Sequence, residues 1–371
     1  MKSVERDQKD MKSMNIEELQ SALQQIGEKP FRADQIYAWM HNKLAKGFED
    51  MTNVSKELRV ALAADYSFPF FEPAKELISQ DGQTHKYLFP LDDGNAIETV
   101  RMKYKHGTSV CISTQVGCKM SCAFCASGQD GFVRQLTTSE MLEQIYAVSR
   151  LSGERISHVV IMGTGEPLDN YDNVLRMIRM LTDERGLNIS QRNITLSTCG
   201  VVPAIYELAK ERLQITLAIS LHAAKDDIRK RLMPIANRYS IEELEAAIEM
   251  YQETTNRRVT LEYILIKGIN DQADAAVALS RLAGRLRAHV NLIPVNAVAE
   301  SGFVRPTMQV CKNFQNTLEK KRIHVTMRRE MGKEVNASCG QLRREVMAHR
   351  QEEDESDEVL FFDRHRQEKK V

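Results

Sequence analysis

The chain has 371 residues, of which 42% are hydrophobic and 27% are charged, a balance typical of a globular protein. Basic and acidic residues each number 51, so the formal net charge is zero, and a surface for an anionic partner has to come from local clustering. No apolar run reaches the roughly 18 residues of a membrane span. The first residues, MKSVERDQKDMKSM, lack the apolar stretch of a signal peptide. We therefore expect a cytoplasmic protein with no membrane partner.

Residues 1–70 are predicted to form a small N-terminal helical domain. Asn15 can cap the segment IEELQSALQQIG, and Gly27 can end it. The segments PFRADQIYAWMHNKL and SKELRVALAADY follow with apolar residues at helical spacing. Because single cores stop growing near ~250–300 residues, a separate small unit beside a larger domain fits the chain length.

Residues 71–106 are predicted to be a β-rich connector, with turns at Asp81-Gly82 and Asp93-Gly94. From residue 107 to residue 330, strands and helices alternate, which predicts a parallel sheet with helices packed outside it. The predicted strands span residues 109–115, 158–163, 193–198, 215–222, 259–266 and 289–295, and residues 324–329 are a candidate seventh. Six units are too few for a closed eightfold barrel, so we predict an α/β fold built on an open partial (β/α)6 barrel.

The C-terminal part is predicted to contain a loop over residues 331–349 and a charged, disordered tail over residues 350–371. Residues 352–358, EEDESDE, carry six carboxylates, and the rest of the tail has little apolar content. Removing the acidic half of the tail leaves a mildly basic folded body.

Three cysteines lie within eight residues, in the run GCKMSCAFC: Cys118, Cys122 and Cys125. Cysteine thiolates are the usual ligands of iron–sulfur clusters, and three ligands leave one iron of a four-iron cluster open to another molecule. A structural zinc site needs a fourth Cys or His nearby, and the next histidine, His158, is not at such spacing.

Polar or glycine-rich segments follow several predicted strands, at the end where (β/α) barrels carry their active sites. The second strand is followed by GTGEP (residues 163–167), the third ends in STCG, the fourth in SLH, and the sixth is followed by Asn296. GTGEP lacks the third glycine of a dinucleotide fingerprint. In a barrel these segments and the cysteine run would meet at one mouth.

The run SVCISTQVGCKMSCAFCASG resembles the radical S-adenosylmethionine (SAM) enzymes, and within them the RNA adenine methyltransferases, from about residue 15 to residue 345. The resemblance implies a [4Fe-4S] cluster held by Cys118, Cys122 and Cys125. It also implies a SAM pocket made by Gly165, Glu166, Ser197, Ser220, Leu221, His222 and Asn296. It further implies that the N-terminal domain grips RNA. Met162 matches a family position beside the cluster.

The same resemblance implies three catalytic residues: Cys339, Cys111 and Glu98. In this family the cysteine of the C-terminal CGQL motif is methylated by one SAM, and a radical derived from a second SAM activates that methyl group. The resulting methylene radical adds to an adenine carbon. Cys111 then helps to release the product and forms a disulfide bond with Cys339, and Glu98 is the general base. The chain departs from the usual motif at Asn336 and Ser338, which are not reacting groups.

The sequence thus predicts a methyltransferase acting on C2 of an adenine in 23S rRNA, with tRNA as a further candidate substrate. A flavodoxin or ferredoxin is the expected electron donor, and a monomer is expected. Three alternatives stay open: methylation at C8, which confers antibiotic resistance, a radical SAM enzyme acting on a non-RNA substrate, and a non-catalytic iron–sulfur or zinc RNA-binding protein. Candidate phosphate contacts are Lys103, Lys105, Arg134, Arg229, Lys230, Arg231, Arg328 and Arg329.

Overall fold

The computed structural model describes residues 9–129, 131–295 and 302–328. Its strands are β1 Lys9–Asp10, β2 Tyr66–Ser67, β3 Lys75–Ile78, β4 Thr84–Pro90, β5 Ala96–Tyr104, β6 Gly107–Cys111, β7 Gln115–Gly117, β8 Phe132–Gln135, β9 Ile156–Ile161, β10 Ile194–Thr198, β11 Thr216–Ser220, β12 Thr260–Leu265, β13 His289–Pro294 and β14 Val325–Met327. Its α-helices are α1 Ile16–Gln25, α2 Phe31–His41, α3 Lys56–Asp65, α4 Thr138–Ser152, α5 Tyr171–Thr182, α6 Val202–Lys210, α7 Asp226–Leu232, α8 Ile241–Thr255, α9 Ala273–Arg285 and α10 Met308–Lys320.

The N-terminal unit is helical, as the sequence predicts. Helix α1 begins with a capping box, in which the Asn15 side chain accepts from the Glu18 N–H and the Glu18 carboxylate accepts from the Asn15 N–H. Gly27, with a φ of 81°, follows the end of the helix. Helices α2 and α3 follow within the predicted segments, and the short parallel pair β1–β2 joins the two ends of the unit.

The main sheet has ten strands in the order β14-β13-β12-β11-β10-β9-β6-β5-β4-β3. The seven strands from β6 to β14 in this order pair in parallel, and each of the six predicted barrel strands lies among them. The candidate seventh strand is present as β14. The predicted connector contributes β3, β4 and β5, which extend the same sheet by antiparallel pairing.

The two faces of the parallel sheet differ in polarity because side chains alternate along each strand. One face carries buried apolar residues such as Val110, Ile161, Leu196, Leu217 and Leu261. Strand register places a different set on the opposite face: Cys111, Val160, Ser197, Ser220, Glu262 and Asn291. The polar face is therefore available for a site, while helices pack on the apolar one.

Helices α4, α5, α6, α8 and α9 lie between the strands, which is the alternation that the sequence predicts. Helices α7 and α10 were not predicted. The sequence of α7, DDIRKRL, contains five charged residues among seven, and this composition resembles an exposed loop. No helix in the described ranges is long and apolar enough to cross a membrane.

A buried ion pair joins the N-terminal unit to the barrel. The Lys12 ammonium lies 2.8 Å from a carboxylate oxygen of Glu143 on α4, and neither side chain is exposed to solvent. Burial lowers the pKa of Lys12 because it disfavours the charged ammonium, and the nearby Glu143 carboxylate acts in the opposite direction. Glu143 also pairs with Arg150 and accepts a hydrogen bond from the Phe71 N–H at 3.2 Å. One carboxylate thus connects the first segment, the connector and the first barrel helix.

Replacing Glu143 with alanine should destabilise the fold, because it leaves the Lys12 charge buried without its partner. We expect a loss of about 3–5 kcal/mol in the free energy of unfolding, measured by denaturant titration. The control is Glu49→Ala, since Glu49 pairs with Arg59 but its side chain is 82% exposed, and such pairs contribute about 0–1 kcal/mol. Equal effects of the two substitutions would contradict the bridging role of Glu143.

Candidate active site at the carboxyl ends of the parallel strands

The cysteine run forms a loop closed at its base by the antiparallel pair β7–β8. The Cys118 N–H donates to the carbonyl of Gly131 at 2.9 Å, and the Cys125 N–H donates to the carbonyl of Cys122 at 3.0 Å. Gly117 has a φ of 74°, and a Cβ there would lie 2.0 Å from the Gly131 oxygen. The loop can therefore close only with glycine at this position.

The electrostatics of the loop suit a cationic cluster. Burial raises the pKa of Cys118 to about 11, and burial together with the neighbouring Cys125 and Cys118 thiols also raises the pKa of Cys122. Three adjacent thiolates repel one another, so binding iron would remove the penalty that disfavours their ionised form. The donor set, three cysteines with one iron left open, fits a [4Fe-4S] cluster.

The cysteine run offers three thiolates and no fourth Cys or His at the spacing of a structural zinc site. Within residues 9–129, 131–295 and 302–328, no three Cys, His, Asp or Glu side chains are grouped as ligands of one metal ion.

The GTGEP turn packs against the end of β6 and the cysteine loop. The Gly163 N–H donates to the Ile112 carbonyl at 2.9 Å, and a Cβ on Gly163 would lie 2.5 Å from that oxygen. The hydroxyls of Thr164 and Ser127 lie 3.2 Å apart, which connects the turn to the residue that follows the cysteines by two positions. Gly165, with a φ of 113°, lies against Gln115 and Thr114.

Glu166 is buried and shapes this turn. One carboxylate oxygen accepts from the Leu168 N–H at 3.0 Å and the other from the Cys199 N–H at 2.7 Å. Burial raises the pKa of Glu166, and these backbone donors oppose that rise. The carboxylate therefore holds the β9 turn against the end of β10. That it also binds the SAM ammonium group stays a prediction.

The remaining predicted pocket residues meet at the ends of β10 and β11. The hydroxyls of Ser197 and Ser220 lie 3.4 Å apart. Leu221 and His222 are buried, and both of their N–H groups donate to the Glu262 carbonyl. His222 Nδ1 accepts from the Ile264 N–H at 3.1 Å, and burial lowers the pKa of His222 to about 3, so its ring is neutral.

His222 also connects the pocket to the cysteine loop. Its ring lies edge-on to that of Phe124, with 4.7 Å between centroids. The ends of β6, β9, β10 and β11 thus contribute to one mouth, where the structure brings together the predicted cluster ligands and six of the seven predicted SAM contacts. Asn296, the seventh, lies outside the described residues.

Two of the three predicted catalytic residues, Cys111 and Glu98, lie within the described residues, and both are on the polar face of the sheet. Cys111 is buried at the end of β6 and packs with Val100, Met102, Val160 and Met162. Glu98, on β5, is buried and pairs with Lys86 at 3.0 Å, the two side chains being 3% and 0% exposed. Glu98 is therefore not a surface carboxylate.

Cys339, Arg329, Asn336 and Ser338 lie outside the described residues, so the predicted Cys111–Cys339 disulfide does too. The six cysteines that the structure does describe form no disulfide with one another.

One proposed phosphate contact is wrong. Arg229 on α7 is fully buried, and its guanidinium donates to the Cys199 carbonyl at 2.8 Å and to the Tyr239 carbonyl at 3.4 Å. Arg229 thus fixes the segment that follows β10.

Two other predicted phosphate contacts form ion pairs within the protein. Arg134 pairs with Asp93 and Glu140, and Lys103 pairs with Glu154.

Two polar residues on this face were missed by sequence reasoning. Glu262 is the register partner of Ser220 on the next strand, and its Oε2 accepts from Asn291 Nδ2 at 2.9 Å. The Asn291 Oδ1 in turn accepts from the Thr326 hydroxyl at 3.1 Å. The sequence does contain a signal for Glu262, because a carboxylate in the middle of a largely apolar predicted strand is unusual and indicates a polar site.

Two family models match the chain. The model described as "Radical SAM superfamily" matches residues 112–279, and "Ribosomal RNA large subunit methyltransferase N-terminal domain" matches residues 9–67. A crystal structure of a radical SAM methyltransferase from Sphaerobacter thermophilus has a TM-score of 0.86 and 42% identity, covering 90% of this chain and 98% of that one.

Curated relatives agree with these matches. A protein of Lachnoclostridium phytofermentans named "Probable dual-specificity RNA methyltransferase RlmN" is 55% identical over 90% of this chain and 94% of its own length. A protein of the same name from Lachnospira eligens is 52% identical over 94% of this chain and 99% of its own length. The chain is thus an enzyme whose cofactors are a [4Fe-4S] cluster and SAM. It belongs to the RlmN family of radical SAM RNA methyltransferases.

Proposed function

We propose that this enzyme methylates C2 of an adenine in 23S rRNA, and that tRNA is a second substrate. The observation that carries the proposal is the similarity, over 90% or more of the chain, to relatives named "Probable dual-specificity RNA methyltransferase RlmN". The hydrogen bond between Ser127 and Thr164, which joins the cysteine loop to the GTGEP turn, fits that family. The N-terminal family model, with its printed reference to large-subunit ribosomal RNA, supports the choice of substrate.

The chemical problem explains why such cofactors are needed. C2 of adenine is electron-poor, so it resists the polar methyl transfer that SAM ordinarily performs. When bound, the cluster and SAM supply a carbon-centred radical, and the difficult chemistry belongs to the cofactors. The protein contributes binding, orientation and a thiol that carries the methyl group, which we assign to Cys339.

Cys111 and Glu98 are proposed to complete the reaction. Cys111 lies at the mouth end of β6, and Val100, two residues along β5 from Glu98, is its register partner. Glu98 and Cys111 therefore share a face of the sheet. The Lys86 ammonium lies 3.0 Å from a Glu98 carboxylate oxygen, so a buried ion pair fixes the position of the proposed base.

We place the reaction in the cytoplasm, where ribosomal and transfer RNA are found, with a flavodoxin or ferredoxin as reductant and a monomeric enzyme. Four exposed residues remain candidate phosphate contacts: Lys105, Lys230, Arg231 and Arg328. The division of the chain at residues 70, 106, 330 and 349 also remains a proposal.

Anaerobic assays of the reconstituted protein with SAM, reductant and rRNA should give 2-methyladenosine, identified by mass spectrometry of digested RNA. Cys339→Ala should still cleave SAM but give no methylated adenosine, because the methyl carrier is lost. Detection of 8-methyladenosine would instead support the C8 alternative. SAM cleavage by the wild type with no product from rRNA, or from tRNA assayed in the same way, would exclude the proposed substrates.

Single alanine substitutions of Cys118, Cys122 and Cys125 should each abolish the visible absorption of the cluster and the cleavage of SAM. The matched control is Cys311→Ala, since Cys311 is fully buried on α10 and outside the mouth. This control should keep the absorption and the activity, with at most a modest loss of stability. Retention of the cluster after removal of any of the three cysteines would contradict their role as ligands.

Glu262 provides a test of the pocket itself. Its carboxylate adjoins Ser220, and its Oε1 has no hydrogen-bond partner among the described side chains, so it can accept from a hydroxyl of bound SAM. Hydrogen bonds to a charged group contribute about 1.5–3 kcal/mol, so Glu262→Gln should weaken SAM binding by roughly tenfold or more. The control is Thr326→Ala at the far end of the network, which should leave SAM affinity unchanged. Unaltered SAM affinity in Glu262→Gln would place this residue outside the SAM pocket.

A further inference from the structure

The three turns that enter β12, β13 and β14 each carry a basic run. The sequences are Arg257-Arg258, Arg285-Leu286-Arg287 and Lys320-Lys321-Arg322. Parallel strands begin at the same edge of a sheet, and these three strands are neighbours in the order β14-β13-β12. The runs are therefore brought side by side, although up to 65 positions separate them in the chain.

A cavity of about 380 Å³ lies between these turns. Small residues form part of its lining: Ala283, Gly284 and Ala288. The exposed side chains of Arg258, Arg287, Arg322 and His324 form its rim, and no acidic residue of the described ranges lines it.

The arginines of the rim are not needed to hold the fold. None of the three forms an ion pair within the described ranges. Arginine near a helix end often caps its last carbonyls. Here backbone N–H groups of residues 286–288 and 321–323 already bond those of α9 and α10. Arg258 alone donates to a carbonyl, that of Ala288 at 3.1 Å.

Two of these arginines also occupy a backbone conformation that disfavours them. Arg287 has a φ of 48° and Arg322 a φ of 59°, in the left-handed region where glycine is the usual residue. The chain places a cation there in two adjacent turns. Arg212, in the turn before β11, has the same conformation with a φ of 50° but does not line the cavity.

We propose that this cavity is a binding site for phosphate groups of the RNA backbone, at the opposite end of the strands from the active site. Arg258, Arg287 and Arg322 form no ion pair with a described carboxylate, and they provide a rim of guanidinium donors suited to phosphate oxygens. Strand β12 has six residues, so the site lies about 20 Å from the mouth, a distance that a folded RNA spans. This inference rests on the proposed RNA substrate, and it adds a second contact between the enzyme and that RNA, away from the active site.

The test is the double variant Arg287→Glu/Arg322→Glu in the full-length, cluster-loaded enzyme. We expect its affinity for a substrate rRNA fragment, measured by fluorescence anisotropy without reductant, to fall roughly tenfold or more. The dependence of binding on salt should also weaken, by about one unit of slope for each lost phosphate contact. SAM affinity, SAM cleavage without RNA and the melting temperature should match the wild type.

The matched control is Arg281→Glu/Lys312→Glu, which makes the same charge change on α9 and α10 at exposed positions that do not line the cavity. This control should lose much less affinity. Equal losses in the two double variants, or wild-type RNA binding by Arg287→Glu/Arg322→Glu, would overturn the proposal.

The alternative occupant of the cavity is the acidic segment of this chain, residues 352–358. In a protein ending at residue 350, RNA binding that no longer depends on Arg287 and Arg322 would assign the cavity to residues 352–358 and overturn the RNA site. Failure of the proposed function would show separately, as the absence of methyladenosine from wild-type reactions.

Discussion

The cysteine loop and the GTGEP turn can meet only because glycine stands where two backbones touch. A Cβ on Gly163 would lie 2.5 Å from the Ile112 oxygen, and one on Gly117 would lie 2.0 Å from the Gly131 oxygen. Larger residues would separate β6 from β9 at the point where both strands end. The contact of Ser127 with Thr164 lies beside this close approach and depends on it.

Buried polar groups then set the positions of the strand ends relative to one another. Glu166 joins the turn after β9 to the end of β10, and Arg229 supports the same segment through the Cys199 carbonyl. The Glu262 carbonyl holds the Leu221 and His222 N–H groups. These groups pay for their burial with hydrogen bonds, so they hold the mouth in one arrangement before any cofactor binds.

Much of this architecture could be predicted from the sequence, for local reasons. Strand and helix periodicity identified the six barrel strands, and the cysteine spacing identified the cluster loop. Helix α7 was not predicted because its charged sequence gives no sign that Arg229 is buried. The pairing of Lys86 with Glu98 was not predicted because the sequence of one strand does not show which residues lie opposite on its neighbour. The arginine cavity was missed because residues 258, 287 and 322 meet only through the order of the strands.

The central claim is that three cysteines leave one iron open to SAM beside the GTGEP turn. Electron–nuclear double resonance of the reduced, reconstituted protein tests it most directly, using SAM labelled isotopically in its amino nitrogen and carboxyl oxygens. We expect hyperfine coupling of the cluster to both labels, and loss of that coupling in Cys122→Ala. A cluster signal that does not change when labelled SAM is added would contradict it.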